Sequence, residues 1–104
     1  MEKHNLFIKA IHNKLVVKIV VDSKEKGIIE RRCIPFDYGP HRKYKDEINR
    51  YHFKDLNSPD GPHVLSILPD QLIKLDLLNE NFDPGDHVKW KPNWFVKRDW
   101  GIYS

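Results

Sequence analysis

The sequence predicts a mainly β, β-rich α+β domain: a small antiparallel barrel of about five strands preceded by an N-terminal helix. Three observations carry this expectation. Leu15 to Val21 is dominated by β-branched residues, shorter runs of alternating apolar and polar residues recur between dense turn signals, and residues 5–13 repeat apolar positions at four-residue spacing. With 104 residues, 39% of them apolar and 32% charged, the chain has the material for one hydrophobic core, so residues 1–104 are read as a single domain.

In chain order, Leu6 with Ala10 and Phe7 with Ile11 place a helix over Asn5 to Asn13. The strand from Leu15 to Val21 sets Leu15, Val17, Ile19 and Val21 on one face and Val16, Lys18 and Val20 on the other. Ser23-Lys24-Glu25-Lys26-Gly27 reads as a hairpin connection to a second strand, Ile28 to Ile34, which Pro35 should end because proline has no N–H to donate. The basic stretch from Gly39 to Lys45 reads as a surface loop. Ile48 to Lys54 alternates, with Tyr51 and Phe53 facing the core and Arg50, His52 and Lys54 facing away. After the turn at Asn57 to Pro62, two further strands fit Val64 to Leu68 and Leu72 to Leu77, separated by Pro69-Asp70. An aromatic C-terminal extension starts near residue 79 and carries Phe82, Trp90, Trp94, Phe95 and Trp100.

The net charge of +3 is unevenly spread. Residues 1–32 hold eight Lys or Arg against four acids, residues 59–86 hold Lys74 against six acids, and the last stretch is basic again through Lys89, Lys91, Lys97 and Arg98. If the basic ends meet, one face attracts polyanions. No apolar run approaches the roughly 20 residues of a membrane-spanning helix, and the N-terminus lacks the pattern of a secretory signal, so no membrane association and a cytoplasmic location are expected. A single cysteine, Cys33, leaves no intramolecular disulfide and reads as a small apolar strand residue.

Enzymatic readings find little support. The six histidines lack the short ligand spacings of a zinc site, no Gly-x-Ser-x-Gly elbow surrounds a serine, and the five glycines are isolated. The expectation is a chain without catalytic residues, metal or cofactor. Two binding candidates remain. Arg31, Arg50, His52 and Lys54 would form a cationic ligand-binding pocket if the second and third strands bring them together, with guanidinium groups on phosphate and a ring beside them. Trp90, Trp94 and Trp100, interleaved with lysines and Arg98, suit stacking on single-stranded nucleic acid or an interface. Each competes with a plain structural role: a solvated strand face for the first, rings that close the barrel or cover its edge for the second.

The order of these features resembles the WYL domain. The resemblance rests on a helix ending in Ala10-Ile11, a strand at Val16 to Val21, Arg31-Arg32-Cys33-Ile34-Pro35, a strand containing Arg50-Tyr51-His52-Phe53, and Leu72-Ile73, and it covers roughly residues 6–78. Arg31 stands four residues before Pro35, as in the family; Tyr51-His52-Phe53 occupies the place of the eponymous Trp-Tyr-Leu run, and Gln71 stands near a position where the family often has arginine. The resemblance implies an Sm-like or SH3-like small barrel of the kind joined to helix-turn-helix regulators in bacteria, binding nucleic acid or a small ligand. No helix-turn-helix lies ahead of the barrel in these residues, so single strands are expected over duplex. The resulting expectation is a non-enzymatic regulatory module that binds nucleic acid or a small anionic ligand. The alternative is a protein-interaction or homo-oligomer-forming subunit that works through the aromatic tail.

Overall fold

The computed structural model describes residues 2–104. Helix α1 spans Glu2–Asn13 and is followed by strands β1 (Leu15–Asp22), β2 (Ile28–Pro40), β3 (Asn49–Asp55), β4 (His63–Ile67) and β5 (Leu72–Asn81), then a one-turn helix α2 (Pro84–His87). The strands form one antiparallel sheet in the order β4-β3-β2-β1-β5, with a short 3-10 turn, Pro69–Gln71, between β4 and β5. The fold is mainly β with an N-terminal helix, and no ladder joins the β4 and β5 edges, so the sheet does not close.

Local chemistry explains the joints. α1 ends where Lys14 takes a left-handed conformation, φ 54°, and the chain turns straight into β1. The β1–β2 hairpin is held by Gly27 at φ 73° and by Ser23, whose hydroxyl donates to the Gly27 carbonyl at 2.8 Å and accepts from the Lys26 amide at 2.7 Å. Gln71 braces the 3-10 turn: its side chain accepts from the Leu68 amide and donates to the Asp22 carbonyl.

β2 is longer than the sequence reading allowed. Pro35 does not end it; the strand runs on to Pro40 and takes in Gly39 and Pro40, which were expected in the following loop. The register shows why proline is tolerated. β1 pairs with β2 from Ile28 to Cys33, β3 pairs with it from Cys33 onward, and Cys33 alone faces both neighbours, Val17 and Asp55. Pro35 therefore lies where β2 has left β1, and the register slips between Pro35 and Asp37, making Phe36 the extra residue of a bulge. Such a hand-over at a bulge bends the sheet. The other boundaries move by a few residues: α1 begins earlier than Asn5, β4 starts at His63, and β5 extends to Asn81, so the tail proper begins after it.

Phe7, Ala10 and Ile11 of α1 fill the inner face of the sheet against Val17, Ile19, Val21, Cys33, Tyr51, Phe53, Leu72 and Leu75. Phe7 meets Tyr51 and Phe53 edge-on, with centroids 4.9 and 5.3 Å apart. Val16 and Ile34 lie on the opposite face by register, yet both are buried. That face needs a second cover, and the C-terminal tail supplies it.

Candidate ligand-binding cleft

Cross-strand pairing decides which expected site residues can meet. Arg50, His52 and Lys54 lie on the outer face of β3, opposite Gly39, Asp37 and Ile34 of β2. Arg31 pairs with Ile19 and is in step with Cys33, which faces Asp55, so it belongs to the inner face. The expected pocket of Arg31 with Arg50, His52 and Lys54 is therefore not assembled, and the reason is the two-residue period of the strand. Arg31 instead sits at the rim of the core, its Nε 3.2 Å from the buried Asp55 carboxylate without alignment for a hydrogen bond.

The outer-face residues are themselves engaged. Arg50 makes a two-point contact with Asp46 at 3.0 and 3.1 Å and lies over the Tyr44 ring. Lys54 Nζ donates to His87 Nδ1 at 3.0 Å. His52 bridges two strands: Nδ1 is 2.8 Å from the Ser66 hydroxyl and Nε2 is 2.9 Å from the Gly39 carbonyl. A neutral ring that donates from Nε2 and accepts at Nδ1 satisfies both. Burial, opposed by the Gly39 carbonyl, holds the His52 pKa below the ordinary imidazole value, so at neutral pH this residue is a strut and not the cation expected of it. Burial and the Lys54 charge likewise depress His87.

These two shifts set a pH dependence. A histidine titrates near 6.5 when unfolded and lower when folded here, so its contribution to stability is complete above pH ~6.5 and is lost as pH falls through the folded value. The melting temperature should fall between pH 7 and pH 5, and His52→Gln, which does not titrate, should flatten that decline. An unchanged slope in the variant would exclude His52 as a contributor.

The tail folds back on its own sheet. Asp37, beside the Phe36 bulge, accepts from the Phe95 and Val96 amides at 3.0 and 2.9 Å and pairs with Arg98. The Arg98 side chain is fully buried, donates to the Phe36 and Val96 carbonyls, and its guanidinium lies 4.0 and 4.4 Å from the Trp94 and Trp100 ring centres. Trp100 is buried and its Nε1 donates to the Ile11 carbonyl at 2.8 Å. It belongs to the core and cannot stack on a ligand, contrary to its place among the stacking candidates. Trp94 is half-buried, with Nε1 donating to Tyr103, and Trp90 is 49% exposed.

Between the tail and the outer face of β3 lies a cavity of about 490 Å³. Its walls are Phe36, Trp90, Trp94 and Phe95, its floor includes His52 and Ser66, and its charged residues are Arg42, Lys43, Lys91 and Asp37, with His41 beside them. Two candidates that were separate in the sequence, the β3 outer face and the tail tryptophans, thus share one cleft through His52, Trp90 and Trp94. Asp37 is occupied by Arg98 and the tail amides, and among the described residues none of Arg42, Lys43 and Lys91 has a salt-bridge partner. The cleft therefore has an excess of positive charge. Arg42 also closes it, donating to the Asn93 carbonyl with its guanidinium 4.5 Å from the Phe95 ring centre. Phe95 in turn lies against Gly39, where a Cβ would overlap the ring.

Sequence reasoning missed Phe36, Phe95, His41, Arg42 and Lys43 as site residues, while Lys91 is one of the cations interleaved with the tail tryptophans. The legible signal is the basic run after Gly39-Pro40, which from sequence alone reads as a surface loop. The segregation of charge along the chain is partly undone in space: Lys18 stands opposite Asp76 and bridges to Glu30, and Arg32 pairs with Glu80. No described helix is long and apolar enough to cross a membrane, and no three His, Cys, Asp or Glu side chains among the described residues converge as a metal site. Comparison with protein-family models, curated proteins and solved structures finds no match to this chain.

Proposed function

We propose that this chain is a non-enzymatic, WYL-like regulatory binding module that recognises nucleic acid or a small anionic ligand in the cleft between its tail and β3. The observation that carries the reading is the convergence of four aromatic walls with three cations that lack acidic partners around one cavity. Aromatic faces stack on flat rings and the cations attract phosphate, the combination used by single-strand binders. The WYL-like part of the reading rests on the sequence resemblance over residues 6–78; the fold that carries the cleft is an N-terminal helix with an open five-stranded antiparallel sheet. A non-catalytic role is supported by Cys33, whose thiol is buried with its pKa pushed far up, and by His52, whose two ring nitrogens are both engaged. The tail-interface alternative loses ground because Trp100 and Arg98 are spent on the chain's own core.

The test is anisotropy of labelled single-stranded RNA and DNA, with competition by small anions, across a range of salt. Binding should weaken as salt rises, and Trp90→Ala should reduce it by roughly tenfold, equivalent to ~1.4 kcal/mol and within the span of one lost base stack. Arg50→Ala should change little, because that guanidinium is held by Asp46 outside the cleft. The reading fails if neither strands nor anions bind at low salt, and the non-enzymatic part fails if the ligand is recovered chemically altered.

A further inference from the structure

Resting on the cleft reading above, we infer that the ligand is a mononucleotide-sized aromatic anion, one flat base carrying one phosphate-bearing end, and not an extended strand. The first argument is size. A cavity of about 490 Å³ falls within the range of roughly 300–1,000 Å³ typical of sites that enclose a single small ligand. Proteins that hold single strands instead present open grooves spanning about 4–16 nucleotides.

The second argument is what flanks the cavity. A strand leaving the cleft needs further phosphate partners along the outer face of β3, and of the two cations there Arg50 is neutralised by Asp46 while Lys54 is turned toward His87 of the tail. The cations that line the cavity without an acidic partner are Arg42 and Lys43 on the β2–β3 loop and Lys91 on the tail wall opposite. The three lining cations suit one phosphate-bearing end held inside the cavity.

The third argument is the arrangement of rings. Trp90 meets Phe36 and Trp94 edge-on, at interplanar angles of 77° and 66° and centroid distances of 5.6 and 6.1 Å, so the rings form a corner and not a continuous stacking ladder. Trp90 keeps half its surface exposed where it lines the cavity, which leaves room for one flat guest. Successive bases of a strand would need successive parallel platforms.

The experiment is calorimetric titration of the full chain with adenosine 5′-monophosphate, adenosine, inorganic phosphate and an oligodeoxyadenylate of about 12 nucleotides. The monophosphate should bind one-to-one, with adenosine and phosphate each weaker by roughly tenfold or more, because each supplies only half of the recognition. Lys43→Ala with Lys91→Ala should bring the monophosphate down to the level of adenosine, and Trp90→Ala should bring it down to the level of phosphate. If the oligonucleotide binds and the monophosphate does not, the size inference is overturned while the binding-module reading stands. If none of the four probes binds at low salt, both fall.

Discussion

Asp37→Ala should destabilise the chain by about 3–5 kcal/mol, the usual consequence of stripping one partner from a buried ion pair. The Arg98 side chain has no exposed surface, and its guanidinium lies between the Trp94 and Trp100 rings. Burial lowers its pKa to about 10, with Asp37 opposing the shift, so it remains charged at neutral pH and its counter-ion is Asp37. Without that carboxylate the charge stays desolvated, and the Phe95 and Val96 amides lose their acceptor as well. Asp37→Asn keeps the shape and an acceptor but not the charge, and should lie between the parent and Asp37→Ala. Adding Arg98→Met to Asp37→Ala should recover part of the loss by removing the orphaned charge while keeping apolar bulk between the rings. Urea unfolding of the four proteins reads these differences directly. A loss below about 1 kcal/mol in Asp37→Ala, the scale of an exposed pair, would mean that the tail is not latched through this contact.

The elements of the fold were legible because each rests on local chemistry. β-branched density marks β1, Gly27 marks its hairpin, and the alternation of Tyr51 and Phe53 with Arg50, His52 and Lys54 marks both faces of β3. What escaped depends on parity or on distance. The rule that proline ends a strand failed at Pro35 because its effect depends on whether a neighbour is present on its N–H side, and that is set by where β2 changes partners. Arg31 was grouped with Arg50 and His52 on chemistry alone, whereas the register places it on the other side of the sheet. Asp37 and Arg98 lie 61 residues apart, and no local pattern links them. A count of the tail aromatics cannot divide them into Trp100 of the core and Trp90 of the cleft wall.

That division makes the second large effect specific. Trp100→Ala should cost about 3–5 kcal/mol, the range for truncating a buried tryptophan, and it also removes the shorter of the two hydrogen bonds to the Ile11 carbonyl, leaving the Lys14 amide as its donor. For a domain whose whole stability is of the order of 5–15 kcal/mol, such a loss brings a measurable unfolded fraction at 37 °C within reach. Trp100→Phe retains a ring against Phe82 and Trp94, now 5.4 Å away on each side, and should lose less. Trp90→Ala removes a ring that is half exposed, so its melting temperature should stay near the parent's even as ligand binding falls. The pair separates two uses of the same tail. If the aromatics instead formed an interface with a second subunit, Trp100→Ala would change the mass of the particle in solution and leave the unfolding of the isolated chain almost untouched. Unfolding monitored by urea, together with mass measured by light scattering, distinguishes the two: a large loss of stability at constant mass assigns Trp100 to the core, and a change of mass at constant stability assigns it to a partner.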